Sequence, residues 1–405
     1  MSYAIEPITT EGARVVASAN KLIEIFRARA DAADRANEIC RENYADMQDA
    51  EITAAFVPEE LGGVGMRSIH DWGLTIATLA RGDGSAAIAI SMHLSATRAL
   101  SALYRASKPD SEPHERVKRI LEAVARKEIL ICSTTTEGGT DNLHPLSEAT
   151  ACEGGWRLNG TKNFVTMSQL ATHVATNVRM RDKEGDYIAN VFMAMDTKGV
   201  RQLGDWDALG MRASASQSLK FENCLLPHDA LRKIGPWGRW STPVLVNRTV
   251  ANVPLVAAFL GIAEAALELS LDGQKKAAGI ELRPGVPNAL AEMEIQLATS
   301  QCIMSRIGAK LDNFLAATDE GRNATYEQGH ELMKDYQSAK WVVNRNAIAI
   351  VSQAMDLCGG SGFMASNALS RLYRDVRAGP FMQPYSPIDA RDYIGRVSRG
   401  DYPEI

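Results

Sequence analysis

The sequence lacks the features that would place it in several functional classes. Its six cysteines are Cys40, Cys132, Cys152, Cys224, Cys302 and Cys358. No two of them form a CxxC pair, so neither a zinc ribbon nor a thioredoxin-like couple is expected, and no metal site is read. Neither sign of charge dominates. The 44 basic and 49 acidic side chains are interspersed and leave a formal charge of −5, so the basic stripe of a nucleic-acid-binding protein is missing. Apolar runs fall short of the roughly 18 residues that a membrane span needs. The opening MSYAIEPITTEGARV has no charged segment followed by an apolar one, and no signal peptide is expected. Scattered thiols fit a reducing compartment, so the expected location is cytoplasmic.

What is present is ordinary globular composition, 45% hydrophobic and 23% charged, over a length that suits two or three packed units. Val15, Val16, Ala19, Leu22, Ile23 and Phe26 recur at helical spacing and mark one buried face. The segment FVPEELGGVG interrupts with Pro58, Gly62 and Gly63, and LTIATLARGDGSAAIAISMHLSATRAL resumes as apolar helices. Near Glu128 the texture changes. EILICSTTT, GWRLNG, HVATNVRM, YIANVFMAM and QSLKFENCLLP are short runs rich in β-branched and aromatic residues, separated by turn residues, and predict strands. Beyond Pro243 three long helical stretches follow, the last stopping at Gly359–Gly360, and LSRLYRDVRA predicts a shorter fourth. The expected fold is α+β in three parts: a helical domain over 1–127, a β domain over 128–232 and a four-helix bundle over 233–405.

Five segments in this order, PEELGGVG, STTTEGGTDN, LNGTKNFVTMS, WDALGMRASASQSLKFENCLLP and CGGSGF followed by LSRLYRDVRAG, resemble the acyl-CoA dehydrogenase superfamily. The resemblance spans nearly the whole chain. It implies a β-barrel-like middle domain, a flavin between that domain and the bundle, and assembly as a homotetramer or homodimer. Carried over by position, Thr135 and Thr136 would bond the flavin ring edge. Phe164 and Thr166 would flank the ring, where an aromatic face supplies contact area. Gly359 and Gly360 would let the backbone approach the cofactor closely. Each also has a plain structural reading, since a Thr-rich strand end follows from β-propensity alone.

The active-site end departs from the family pattern. Dehydrogenation of a thioester needs a carboxylate to remove the α-proton. The family's glutamate usually stands eight residues after the aspartate of the pair Arg374–Asp375, and that position is Gln383. An alternative position on the first bundle helix is Ala251, followed by Asn252. Lys275 stands where an FAD-binding arginine is usual, and Asp356 where a glutamine is, so FMN competes with FAD as the expected flavin.

ARGDGSAAIAISMHL is similar to a helix of the flavin-dependent monooxygenases built on this fold. In those enzymes a separate reductase supplies reduced flavin, O₂ adds to it as a C4a-hydroperoxide, and a histidine near the helix end faces the flavin. Here that residue is His93, whose ordinary pKa near 6.5 suits proton transfer. Met382 and Gln383 lack those enzymes' histidine and aspartate, while Pro384 matches their proline. The catalytic candidates are therefore His93 and Gln383, with Trp237 and Trp240 of GPWGRW as candidate walls of a substrate pocket. The expected reaction is hydroxylation of a small aromatic or heteroatom-containing substrate. The alternatives are a dehydrogenase with a displaced base and a catalytically silent flavin-binding relative.

Overall fold

The computed structural model describes residues 3–276 and 284–403, without the side chains of 274–276. The predicted order of helices, sheet and helices is observed. Helix α1 (Thr10–Ala36) starts on the Thr9 side chain, which accepts from the Gly12 amide, and stops at Asn37 in the left-handed region. Every residue of its predicted stripe is buried. Helix α2 (Arg41–Asp49) follows, then α3 (Ile69–Ala80) and α4 (Gly84–Ala106). The Asp83 carboxylate accepts from the first amides of α4, at 2.9 and 3.2 Å, satisfying donors that the helix itself leaves open. Helix α5 (Glu112–Ala125) leads into the sheet.

The sheet has eight strands, β1 (Ile131–Thr134), β2 (Glu148–Cys152), β3 (Gly155–Val165), β4 (His173–Asp182), β5 (Gly185–Ala194), β6 (Val200–Gln202), β7 (Gln217–Leu226) and β8 (Leu231–Pro236). Their order is β6-β7-β3-β2-β4-β5-β8, with β1 pairing in parallel to β4. Strand β8 carries the sheet into Gly235–Pro236, past the expected end of the β domain at residue 232. The signal was weak because β8 pairs only as an edge strand against β5.

Four further helices form the bundle: α6 (Thr242–Lys276), α7 (Gly285–Ala317), α8 (Tyr326–Cys358) and α9 (Ala368–Val376), with α10 (Pro387–Ser398) packed on α8. Helix α6 lies directly on α3. A Cβ at Gly261 would stand 2.0 Å from the Ala77 carbonyl, so only glycine permits the crossing. One apolar cluster therefore runs from Phe26 and Trp72 through Phe259 to Val351, joining the N-terminal helices to the bundle. A second cluster, around Leu158, Val178 and Phe221, belongs to the sheet. Helices α4 and α6 are long and apolar enough to cross a membrane, but 67% and 89% of their most apolar windows are buried within the protein. That burial explains their composition.

Candidate active site

The polar residues gather where the loop after β1 meets the bundle. Thr134 Oγ1 donates to the Asn163 carbonyl at 2.9 Å, and the Asn163 amide donates to the Thr136 carbonyl at 2.9 Å. Asn163 also ties Gly138 to Ser218 through its side chain. These bonds hold Thr135 and Thr136 at the end of β1. On β3 the pairing with β7 slips between Lys162 and Val165, and Phe164 takes a φ of 53°. This bulge removes Phe164 from the strand's alternation. Its ring is not core: it stands 59% exposed and edge-on to Trp206. Thr166 Oγ1 is 2.9 Å from the Ser216 hydroxyl.

Gln383 approaches from the bundle. Its amide meets that of Asn142 at 2.5 Å, and its other end lies 3.2 Å from Thr136 Oγ1. With the Asn142 amide turned, and the Gln383 amide turned with it so that its nitrogen faces the Asn142 oxygen, Asn142 donates to the Thr135 carbonyl and hydroxyl, at 3.2 and 3.0 Å. Its oxygen then accepts from Arg248 Nη1 at 3.3 Å. One face of α8 fixes the loop carrying Gln383. Lys340 Nζ donates to the carbonyls of Met382 and Tyr385, and the Tyr336 hydroxyl donates to that of Gln383 at 3.3 Å. Burial pushes the Lys340 ammonium down to about 8 and the Arg248 guanidinium down to about 10. The guanidinium lies 5.2 Å from the ring centre of buried Trp240.

This cluster has no carboxylate in position to act as a base. Asp141 is bonded to His144 Nδ1 at 2.9 Å and to two backbone amides. Asn252 bonds the Arg248 carbonyl within its own helix, and Ala251 has no polar side chain. The arrangement offers amides, hydroxyls and one guanidinium. It can orient a polar substrate and disfavours a second cation, because like charge and desolvation both oppose protonation.

Other predicted residues stand elsewhere. His93 is completely buried. Its Nε2 donates to the Thr53 carbonyl at 2.9 Å and its Nδ1 accepts from the Ile131 amide at 3.1 Å. Both ring nitrogens are engaged by backbone, so His93 presents no atom to a flavin and instead ties α4 to β1. Trp237 is held between His144, 4.8 Å away edge-on, and Arg179, 4.5 Å from its ring centre. It braces the 141–145 loop rather than facing the cluster. Gly359 and Gly360 end α8, where added Cβ atoms would meet nothing within 4 Å. They lie 19 residues beyond Lys340, roughly 28 Å along the helix at 1.5 Å per residue. Within one chain they cannot touch a ring held at Thr135 and Thr136. Asp356 is exposed on the same last turns, and residues 277–279 of the segment begun by Lys275 lie outside the described residues, as does the Lys275 side chain. Asn142, Asn163, Arg248, Tyr336 and Lys340 had no sequence signal, since each matters only through partners distant in the chain.

The His93 geometry has a pH consequence. An unfolded histidine takes up a proton near pH 6.5, whereas burial holds His93 neutral down to about 4. Between those values the unfolded state holds the extra proton, so stability falls as pH falls. Urea midpoints should drop over this range, and His93→Asn should drop less. Equal drops in both proteins would contradict the assignment.

Residues 13–110, 131–224 and 249–383 match, in that order, the N-terminal, middle and C-terminal domains of acyl-CoA dehydrogenase. The chain is 33% identical over 397 residues to L-evernosamine nitrososynthase from a Micromonospora species, covering 97% of this chain and 92% of that protein. It is 31% identical to amino sugar nitrososynthase DnmZ of Streptomyces peucetius, with 98% and 95% covered. Among solved structures it is similar to KijD3 in complex with FMN and dTDP-3-amino-2,3,6-trideoxy-4-keto-3-methyl-D-glucose. That match has a TM-score of 0.90, 28% identity and coverage of 98% and 96%.

Proposed function

The chain belongs to the acyl-CoA dehydrogenase family, and from that premise we propose that it oxidises the nitrogen of a primary amine on a sugar, using reduced flavin and O₂. The carrying observation is the carboxylate-free cluster of Gln383, Asn142 and Arg248 at the position of the family's base. Removing a proton from carbon requires a base there; oxidising an amine requires its lone pair. Arg248 and the surrounding desolvation keep a substrate amine neutral, and the amides orient it. The relatives named as amino sugar nitrososynthases support nitrogen as the atom oxidised in preference to an aromatic carbon.

The residues present fit a flavin on the sheet side. Phe164 offers an uncovered ring, Thr135, Thr136 and Thr166 offer hydroxyls, and a Cβ at Gly139 would meet nothing within 4 Å. FMN is the flavin of the reading, as in the KijD3 complex. Bound and reduced, it supplies the electrons that activate O₂. One oxygen atom passes to nitrogen and the other leaves as water. A separate flavin reductase and a homo-oligomer complete the reading.

The test supplies the purified protein with reduced FMN, isotopically heavy O₂ and a panel of nucleotide-linked amino sugars. The expected result is heavy oxygen on the amine nitrogen, found by mass spectrometry. Indifference to every amine, combined with anaerobic bleaching of bound flavin by an acyl thioester, would make the chain a dehydrogenase with a displaced base.

A further inference from the structure

We propose that Arg248 is the anion receptor of the substrate site, binding a phosphate or carboxylate carried by the same molecule as the reacting amine. This assignment rests on the reading above and adds the charge of the substrate to it.

The observation is an absent partner. Among the described residues, the other arginines shielded from solvent have a carboxylate within ion-pair reach, apart from Arg232 on the edge strand β8, whose guanidinium burial also pushes down. Arg27 and Arg81 share Glu268, Arg98 meets Glu320, Arg179 meets Asp186, Arg371 meets Asp31 and Arg374 meets Asp34. Arg248 has none. Its neighbours are the face of Trp240, the Asn142 amide and the neutral Tyr385 phenol, whose ionisation burial pushes upward; the Asp141 carboxylate acts on it only from beyond ion-pair reach and is already bonded to His144. A guanidinium withdrawn from water without a counter-ion is costly, and a planar five-donor fork suits an oxyanion. Arg248 and Gln383 meet the same oxygen of the turned Asn142 amide, at 3.3 and 2.5 Å, so an anion on Arg248 and a group on Gln383 would be neighbours. That proximity fits substituents of a single sugar. The residues proposed above for the flavin do not include Arg248, and its one bond, from Nη1 to Asn142, leaves the other donors of the fork for substrate.

The probes are dTDP, inorganic pyrophosphate and propionate, titrated calorimetrically into the FMN-loaded protein. Either phosphate probe binding more tightly than propionate identifies a phosphorylated substrate; the reverse identifies a carboxylate. Arg248→Met, which keeps the packing on Trp240, should weaken the preferred anion at least about tenfold, and Arg248→Lys should restore part of the loss. FMN affinity should stay unchanged in both variants. Failure of all three probes to bind, an affinity that survives Arg248→Met, or a loss confined to FMN would each overturn the assignment. Anion binding with no amine oxidation would instead refute the reaction proposed above and leave Arg248 as the receptor.

Discussion

Gln383→Ala is expected to lower kcat/KM for amine oxidation about a hundredfold, the scale reported for removing one oriented donor from a preorganised site. Flavin should stay bound, since the sheet-side residues are untouched. The argument is geometric. The Gln383 amide joins Asn142, at 2.5 Å, to the Thr136 hydroxyl, at 3.2 Å, and alanine leaves both without their partner. Gln383→Glu is the sharper variant. It would place a carboxylate beside Arg248, pair with it, and favour the ammonium form of the substrate. The acidic limb of the pH–rate profile should then move to higher pH, because a nearby negative charge raises an amine pKa. A Gln383→Glu enzyme that works as well as the parent at neutral pH would remove the basis for a neutral-amine mechanism.

Lys162→Met should cost the protein about 3–5 kcal/mol, the usual scale for breaking one side of a buried ion pair. Lys162 and Glu137 are bonded to each other with side chains 0% and 3% exposed. Glu137 also accepts from the backbone amides of Leu146 and Ser147, at 2.5 and 3.0 Å. The pair thus closes the loop that carries Asn142. A buried ion pair can often be replaced by apolar residues at little cost, but here Lys162→Met with Glu137→Leu should stay destabilised. The two loop amides would lose their acceptor. Urea unfolding of both variants tests this, and a double variant as stable as the parent would show that the loop amides find other partners.

The catalytic consequence of the Gln383 position was legible because residue identity alone decides whether a base is available. The neighbours that give Gln383 its role were not. Asn142 is 241 residues away in the chain, and no periodicity links the two. His93 shows the opposite error. Its motif suggested a flavin contact, yet the backbone at Thr53 and Ile131 uses both of its nitrogens. Phe164 lies on β3, and the slipped pairing of β3 with β7 decides that its ring faces outward. For Gly359 the fixed rise of a helix carries its end far from a contact made near its middle, but only the structure shows that Lys340, in the middle of α8, makes that contact.

The sequence by itself determined the helices, the sheet between them and the lack of a carboxylate at either base position. Those follow from local periodicity and from which atoms each residue carries. Only the tertiary structure decided which polar groups meet: Gln383 with Asn142 and Thr136, Arg248 without a counter-ion, His93 bound to backbone. Hydrogen bonds and ion pairs depend on distances between residues far apart in the chain, and packing of the two cores sets those distances.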